Sequence, residues 1–194
     1  MKPFRSFIIF FLIITFLPVS LHAQEMLCKK SICFNRTQEI AGQQIPIKGA
    51  ELLEYLMLDL YTAALYAPAD IKTIDGILGN VPKSLVLHYH RTIKKEWMIK
   101  ASRDRIKKNK DNNAVALEDR LKQLDAAYQT VQRGDRYELR YKPGIGTSLI
   151  LNGKLQATIQ GEDFQRAFFG IWLSKLPLNK KLRDHLINPP VSKK

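Results

Sequence analysis

Asn152-Gly153 stands between two short runs, Thr147 to Leu151 and Lys154 to Ile159. An Asn-Gly pair readily takes the two left-handed conformations of a tight turn, so this spacing predicts two strands joined by a hairpin. Strands joined that tightly are antiparallel. Helical periodicity is present as well. Ala114 to Gln132 carries Leu117, Leu121, Leu124 and Tyr128 at helical spacing, and Lys94 to Lys108 carries Ile99, Ser102 and Ile106 on one side. The two patterns together predict an α+β domain, with helices packed on an antiparallel sheet.

Other segments extend this outline. Glu39 to Lys48 reads as a strand with Gly42 inside it, and Tyr55 to Tyr66 as one longer strand. In the latter the even positions Leu56, Leu58, Leu60 and Ala64 are apolar and are assigned to the core. The odd positions Tyr55, Met57, Asp59, Tyr61 and Ala63 form a mixed face suited to bordering a cavity. Pro68 ends the strand, and Ala69 to Leu78 is expected to be a short helix stopped at Gly79-Asn80. Lys83 to Ile93 reads as a strand with Leu85, Leu87 and Tyr89 on one face and Val86, His88 and His90 on the other. Gly134-Asp135 turns the chain into a further strand, Arg136 to Tyr141. Gly161 to Leu176 and Leu178 to Ile187 read as helices separated at Pro177, and residues 188–194 as a loose tail. No internal repeat or long linker divides the chain.

The N-terminus has the layout of an export signal. Lys2 and Arg5 precede an unbroken apolar run from Phe7 to Leu17, and Ala23 supplies a small residue at the expected cleavage point before Gln24. The run is short for a bilayer span, which needs roughly 20 residues, so removal of residues 1–23 is favoured over an uncleaved anchor. The expected destination is the periplasm, with secretion as the alternative. In such a compartment disulfides persist. Cys28 and Cys33, in the sequence CKKSIC, are expected to staple an N-terminal segment spanning residues 24–37. A redox-active pair is disfavoured, because such pairs commonly have two intervening residues.

A composition of 45% hydrophobic and 25% charged residues excludes a disordered or multi-pass membrane chain. The net charge of +13 directs attention to acidic partners. Much of it lies between Lys94 and Lys110, where eight basic residues and two acidic ones surround Trp97. Such a helix suits anionic lipid or an envelope surface, against the plainer reading of a solvated face. Nucleic acid is not expected, since no docking motif accompanies the charge.

The stretch YKPGIGTSLILNGKLQATIQGEDFQRAFFGIWLSKLP, followed by LNKKLRDHLI, resembles the C-terminal half of the bacterial chalcone isomerase-like family. The matching features are Pro143-Gly144, Gly146-Thr147, Asn152-Gly153, Gly161 with Phe164, Ile171-Trp172-Leu173 and Pro177. Upstream, LYTAALYAP (Leu60 to Pro68) and the segment from Pro82 to Arg91 are similar to two of that family's strands. The resemblance covers residues 38–187. It implies an open-faced β-sandwich, one large antiparallel sheet with helices layered on a face. It also implies either closure of chalcones to flavanones, binding of fatty acids, or neither, since fold does not carry function.

The plant isomerases use an early-strand Arg to polarise the substrate. The matching position here is at or near Leu53, and no Lys or Arg occurs from residue 49 to 71. Tyr61 falls near the enzymes' Thr, and Trp97 and Lys100 near their Tyr and Lys. Without a cation aimed at the developing negative charge, flavanone chemistry is not expected. The reading favoured is therefore a non-catalytic, exported protein that binds a small apolar or amphipathic ligand such as a fatty acid. Tyr61 and Trp97 would lie near the ligand, and Lys100 would meet its head group. The alternatives are an isomerase or intramolecular lyase acting on another substrate, and an envelope-interaction protein using its basic helix.

No cofactor is expected. His88 and His90 could chelate a metal by spacing, but they lack an adjoining acid or cysteine, and no metal site is assigned. Gly144-Ile145-Gly146 lacks the third glycine of a dinucleotide loop and reads as a turn.

Overall fold

The computed structural model describes residues 26–189. The export signal expected at residues 1–23 and the end of the tail, residues 190–194, lie outside the described residues. Two short strands, β1 (Met26–Lys29) and β2 (Ile32–Asn35), form a hairpin of their own. Cys28 faces Cys33 across it, and the two are disulfide-bonded as expected, although the segment is a hairpin and not merely a stapled loop.

Seven strands make the main sheet: β3 (Thr37–Ile40), β4 (Gln43–Tyr55), β5 (Leu58–Tyr66), β6 (Lys83–Tyr89), β7 (Arg136–Lys142), β8 (Gly146–Leu151) and β9 (Lys154–Ile159). Their order in the sheet is their order in the chain, and every neighbouring pair is antiparallel. The expected α+β class with a large antiparallel sheet holds. The hairpin at Asn152-Gly153 also forms where expected, with both residues left-handed (φ 50° and 80°).

Two expected strands prove to be hairpins. Gly42, assigned to the inside of a strand, forms with Ala41 the two-residue turn between β3 and β4 (φ 53° and 75°). The single strand expected from Tyr55 to Tyr66 is broken at Leu56-Met57, both left-handed (φ 49° and 61°), so β4 runs out and β5 returns beside it. Leu and Met carry none of the usual chemistry of such a turn, so local pattern could not reveal it. The break also removes Leu56 from the core, where it had been assigned, and leaves it exposed.

Among the described residues five helices follow from the remaining segments: α1 (Ile74–Ile77), α2 (Lys95–Lys108), α3 (Glu118–Ala127), α4 (Glu162–Leu173) and α5 (Lys180–Ile187). α4 buries nearly all its surface, with Phe164, Phe168, Phe169, Ile171, Trp172 and Leu173 inside the main core. A helix apolar around most of its circumference belongs largely in the interior. Only Glu162, Asp163 and Arg166 of α4 are exposed, and it lies between α2 and the sheet residues of that core. Arg103 of α2 pairs with both Glu118 and Asp125 of α3, tying the two helices. α3 is shorter than expected from Ala114 to Gln132. Its chain leaves the helix at Tyr128, and the Gln129 N–H is taken instead by the Tyr137 hydroxyl at 2.8 Å.

Both faces of the sheet are covered. On the helical face Tyr61, Ala63, Leu65, Leu85, Leu87, Tyr137, Leu139 and Leu149 meet the helices. On the other face Ala64, Tyr66 and Val86 pack with Phe34 of β2, Ile40 and Ile45 in a second cluster. The odd residues Tyr61, Ala63 and Leu65 of β5, on or beyond the face expected to be mixed, therefore face the main core. The even residues Ala64 and Tyr66 face the smaller one, while Leu60 still packs against the main core. Alternation distinguishes a buried face only when the opposite face is wet, and here neither is. Gly49 lets the end of α5 rest on β4, since a Cβ at that position would collide with the backbone carbonyls of His185 and Leu186.

Candidate functional site

A cavity of about 1220 Å³ opens between the sheet and the helical layer. The sheet supplies its floor through Leu53, Tyr61, Leu87, Tyr89, Tyr137, Leu139 and Leu149. Ile171 and Trp172 of α4, and Trp97, Met98, Ala101 and Ser102 of α2, supply the roof. The mouth lies where the β4–β5 turn (Tyr55, Leu56, Leu58) meets the segment His90 to Lys94 and Arg133.

Local pairing brings that rim together. Ile93 and Val131 exchange both backbone hydrogen bonds at 3.0 Å, and the Gly134 N–H donates to the Tyr89 carbonyl at 2.9 Å. These bonds hold the segments carrying Arg91 and Arg133 side by side, although they are far apart in sequence. Arg91, Lys94 and Arg133 line the cavity with no Asp or Glu among the lining residues. None of the three makes an ion pair with another described residue. In sequence Lys94 is one member of a basic run, and neither arginine carries a local signal of its own.

The interior is apolar with a wall of phenols. Tyr61 and Tyr89 meet edge to face, as do Tyr89 and Tyr137, and Tyr128 and Tyr137. The Tyr61 hydroxyl accepts from the Trp172 indole N–H at 2.9 Å, and no acceptor among the described residues takes its own proton. Ser102 and Tyr128 share a hydrogen bond at 2.8 Å, and Tyr89 donates to the Met98 sulfur. Burial pushes the Tyr61, Tyr89 and Tyr128 phenols far above their ordinary range. They are neutral hydrogen-bonding groups at physiological pH, not bases.

The residues singled out from sequence separate on this map. Tyr61 lines the cavity, 7% exposed and on the core side of its strand. Trp97 lines it too, but at the rim, 73% exposed. Lys100 lies outside the lining. Its ammonium pairs with Asp104 one turn along α2, at 2.7 Å and in solvent. The cavity side of α2 runs through Trp97, Met98, Ala101 and Ser102, and at 3.6 residues per turn Lys100 falls on the far side of Trp97 from that arc. Leu53 is paired with Tyr61 across β4 and β5 and is buried in the floor. By the family resemblance in sequence, this leucine stands at or near the plant isomerases' cation position.

His88 and His90 lie side by side as expected, their rings 5.7 Å apart. His90 hydrogen-bonds Thr62 at 2.8 Å, and burial lowers the pKa of both imidazoles. Among the described residues no group of three or more His, Cys, Asp or Glu is placed to hold a metal ion.

Comparison with known proteins bears on the fold. A family model described as chalcone isomerase-like matches residues 29–188, most of the chain. The chain belongs to the chalcone isomerase-like family. Among solved structures, this family member is similar to a fatty-acid binding protein of Arabidopsis thaliana, with a TM-score of 0.68 at 14% sequence identity. The match covers 84% of this chain and 96% of the plant protein. At that identity the likeness establishes the fold, a curled antiparallel sheet with helices packed on it. No curated protein matches the chain in sequence.

Proposed function

We propose that this protein binds a fatty acid or a similar single-chain amphiphile without turning it over, and that it does so as an exported protein. The observation that carries the reading is the cavity itself: about 1220 Å³, apolar within, with three cations and no carboxylate among its lining residues. Ligand sites commonly run from roughly 300 to 1,000 Å³, so a long acyl chain has ample room. The tail lies between Leu53, Leu87, Leu139, Leu149 and Ile171, with Tyr61 and Trp97 near it. The carboxylate stays at the mouth with Arg91, Lys94 and Arg133, in the role first expected of Lys100. Burying about ten methylenes at ~0.8 kcal/mol each offers about 8 kcal/mol before the costs of association, enough for micromolar affinity. The fatty-acid binding protein of the same fold supports this reading. The Cys28–Cys33 disulfide supports the exported compartment.

A titration with palmitate tests the proposal. Both tryptophans of the chain line the cavity, so saturable quenching and a one-to-one complex in native mass spectrometry are expected. Arg91→Ala with Arg133→Ala should weaken palmitate by about tenfold or more, since a hydrogen bond to a charged group is worth roughly 1.5–3 kcal/mol. Methyl palmitate, which has no charge, should lose little. No saturable quenching and no complex would overturn the reading.

A further inference from the structure

At the mouth of the cavity several large apolar side chains are exposed. Leu56 is 75% exposed and Met57 97%, with Tyr55, Leu58 and Trp97 exposed beside the same opening. Single exposed apolar side chains are ordinary, but several gathered at one opening mark an interaction surface. The backbone does not explain them. Leu56 and Met57 occupy the two left-handed positions of a hairpin turn, where Asn-Gly would fit with less strain. The apolar tip is held at a conformational cost.

Cations outnumber carboxylates around the mouth. Arg91, Lys94 and Arg133 share the mouth with these apolar residues, and Lys95 follows at the start of α2. The carboxylates nearest in sequence are Glu54, Glu96 and Asp59, of which Asp59 is already paired with Lys30. An apolar tip with interfacial aromatics and a cationic collar fits the boundary of an anionic bilayer. A second copy docking face to face would bring the same cations together, which like-charge repulsion opposes.

We infer that the mouth docks on an anionic lipid surface, with Leu56 and Met57 entering the head-group layer and the cations meeting lipid phosphates. The purpose rests on the fatty-acid reading: with the mouth seated, an acyl chain passes between bilayer and cavity without crossing open water. The surface itself rests on exposure and charge alone.

The test uses vesicles of phosphatidylcholine alone and of phosphatidylcholine mixed with phosphatidylglycerol. The full chain should co-sediment with the mixed vesicles, and added salt should weaken the binding. The double variant Leu56→Asn, Met57→Gly installs a favoured turn, so it should keep or raise the Tm. Its vesicle binding should fall by about tenfold or more. Failure of the unmodified chain to bind mixed vesicles, or equal binding by the double variant, would overturn the inference. Concentration-dependent dimers that disappear in the double variant, without vesicle binding, would assign the tip to a second copy instead. The two readings fail separately: vesicle binding without palmitate binding leaves the docking surface standing, and the reverse leaves only the ligand site.

Discussion

The Trp172 indole N–H donates to the Tyr61 hydroxyl at 2.9 Å, joining the innermost helix to the floor of the sheet inside the cavity. Both residues are buried, so neither can substitute water freely for the other. Tyr61→Phe keeps the ring but leaves the indole N–H without its acceptor. A loss of about 1–3 kcal/mol in denaturant unfolding is expected. Adding Trp172→Phe should cost less than the sum of the two single changes, because the second removes the orphaned donor. Additivity would show that the bond contributes nothing.

Glu51 is buried beneath α5 and ties three elements together. It hydrogen-bonds His185, pairs with Lys29 of β1 at 2.9 Å, and accepts the Leu52 N–H at 2.9 Å. Burial alone would raise its pKa, but the hydrogen bonds from His185, Lys29 and Leu52 outweigh it and hold the carboxyl below its usual range. A carboxylate with a depressed folded pKa stabilises above its unfolded pKa and loses that contribution as pH falls through the folded value. Glu51→Gln should therefore cost about 1.5–3 kcal/mol at neutral pH. The gap from the unmodified protein should close in acid. A gap independent of pH would sink the charge assignment.

Lys83 is fully buried, its ammonium donating to the carbonyls of Gly79 and Val81 at 2.8 and 3.0 Å and lying over the Tyr141 ring. Burial is the largest influence and pulls its pKa down to about 7 from 10.5. Between those values the unfolded chain holds a proton that the folded chain does not, so this group makes stability rise with pH across that window. Below it both states are protonated and the dependence vanishes. Urea unfolding between pH 7 and 10 should show the rise, and Lys83→Met should flatten it. An unchanged slope in the variant would refute the linkage.

Chalcone should not be cyclised above background. Leu53 lies in the floor at or near the place where the plant isomerases carry a cation, and the phenols around it remain neutral. Leu53→Arg alone should not create an efficient enzyme, because the hydroxyl partners also differ. It should also lower stability, since it buries an unpaired charge. Fast, stereoselective ring closure by the unmodified protein, followed by absorbance, would overturn this expectation.

Where the determining interactions were local, the sequence was legible. Asn152-Gly153 dictates its own turn, so the antiparallel pairing of β8 and β9 could be read directly. The helices on the sheet, the Cys28–Cys33 bond and the chalcone isomerase-like family were legible for the same reason, through short-range pattern and ordered motifs. Of the residues the sequence singles out, Tyr61 and Trp97 line the cavity and Lys100 lies outside it. Three features required the tertiary structure. The turn at Leu56-Met57 has no turn chemistry of its own and exists because β4 and β5 pair around it. The face of β5 that meets the helices could not be chosen, because the β1–β2 hairpin and its neighbours bury the opposite face as well. The cationic mouth depends on the Ile93–Val131 bridge, which sets Arg91 beside Arg133. Local sequence encodes turn and helix preferences over a few residues, whereas a rim drawn from distant segments exists only once long-range pairing has closed it.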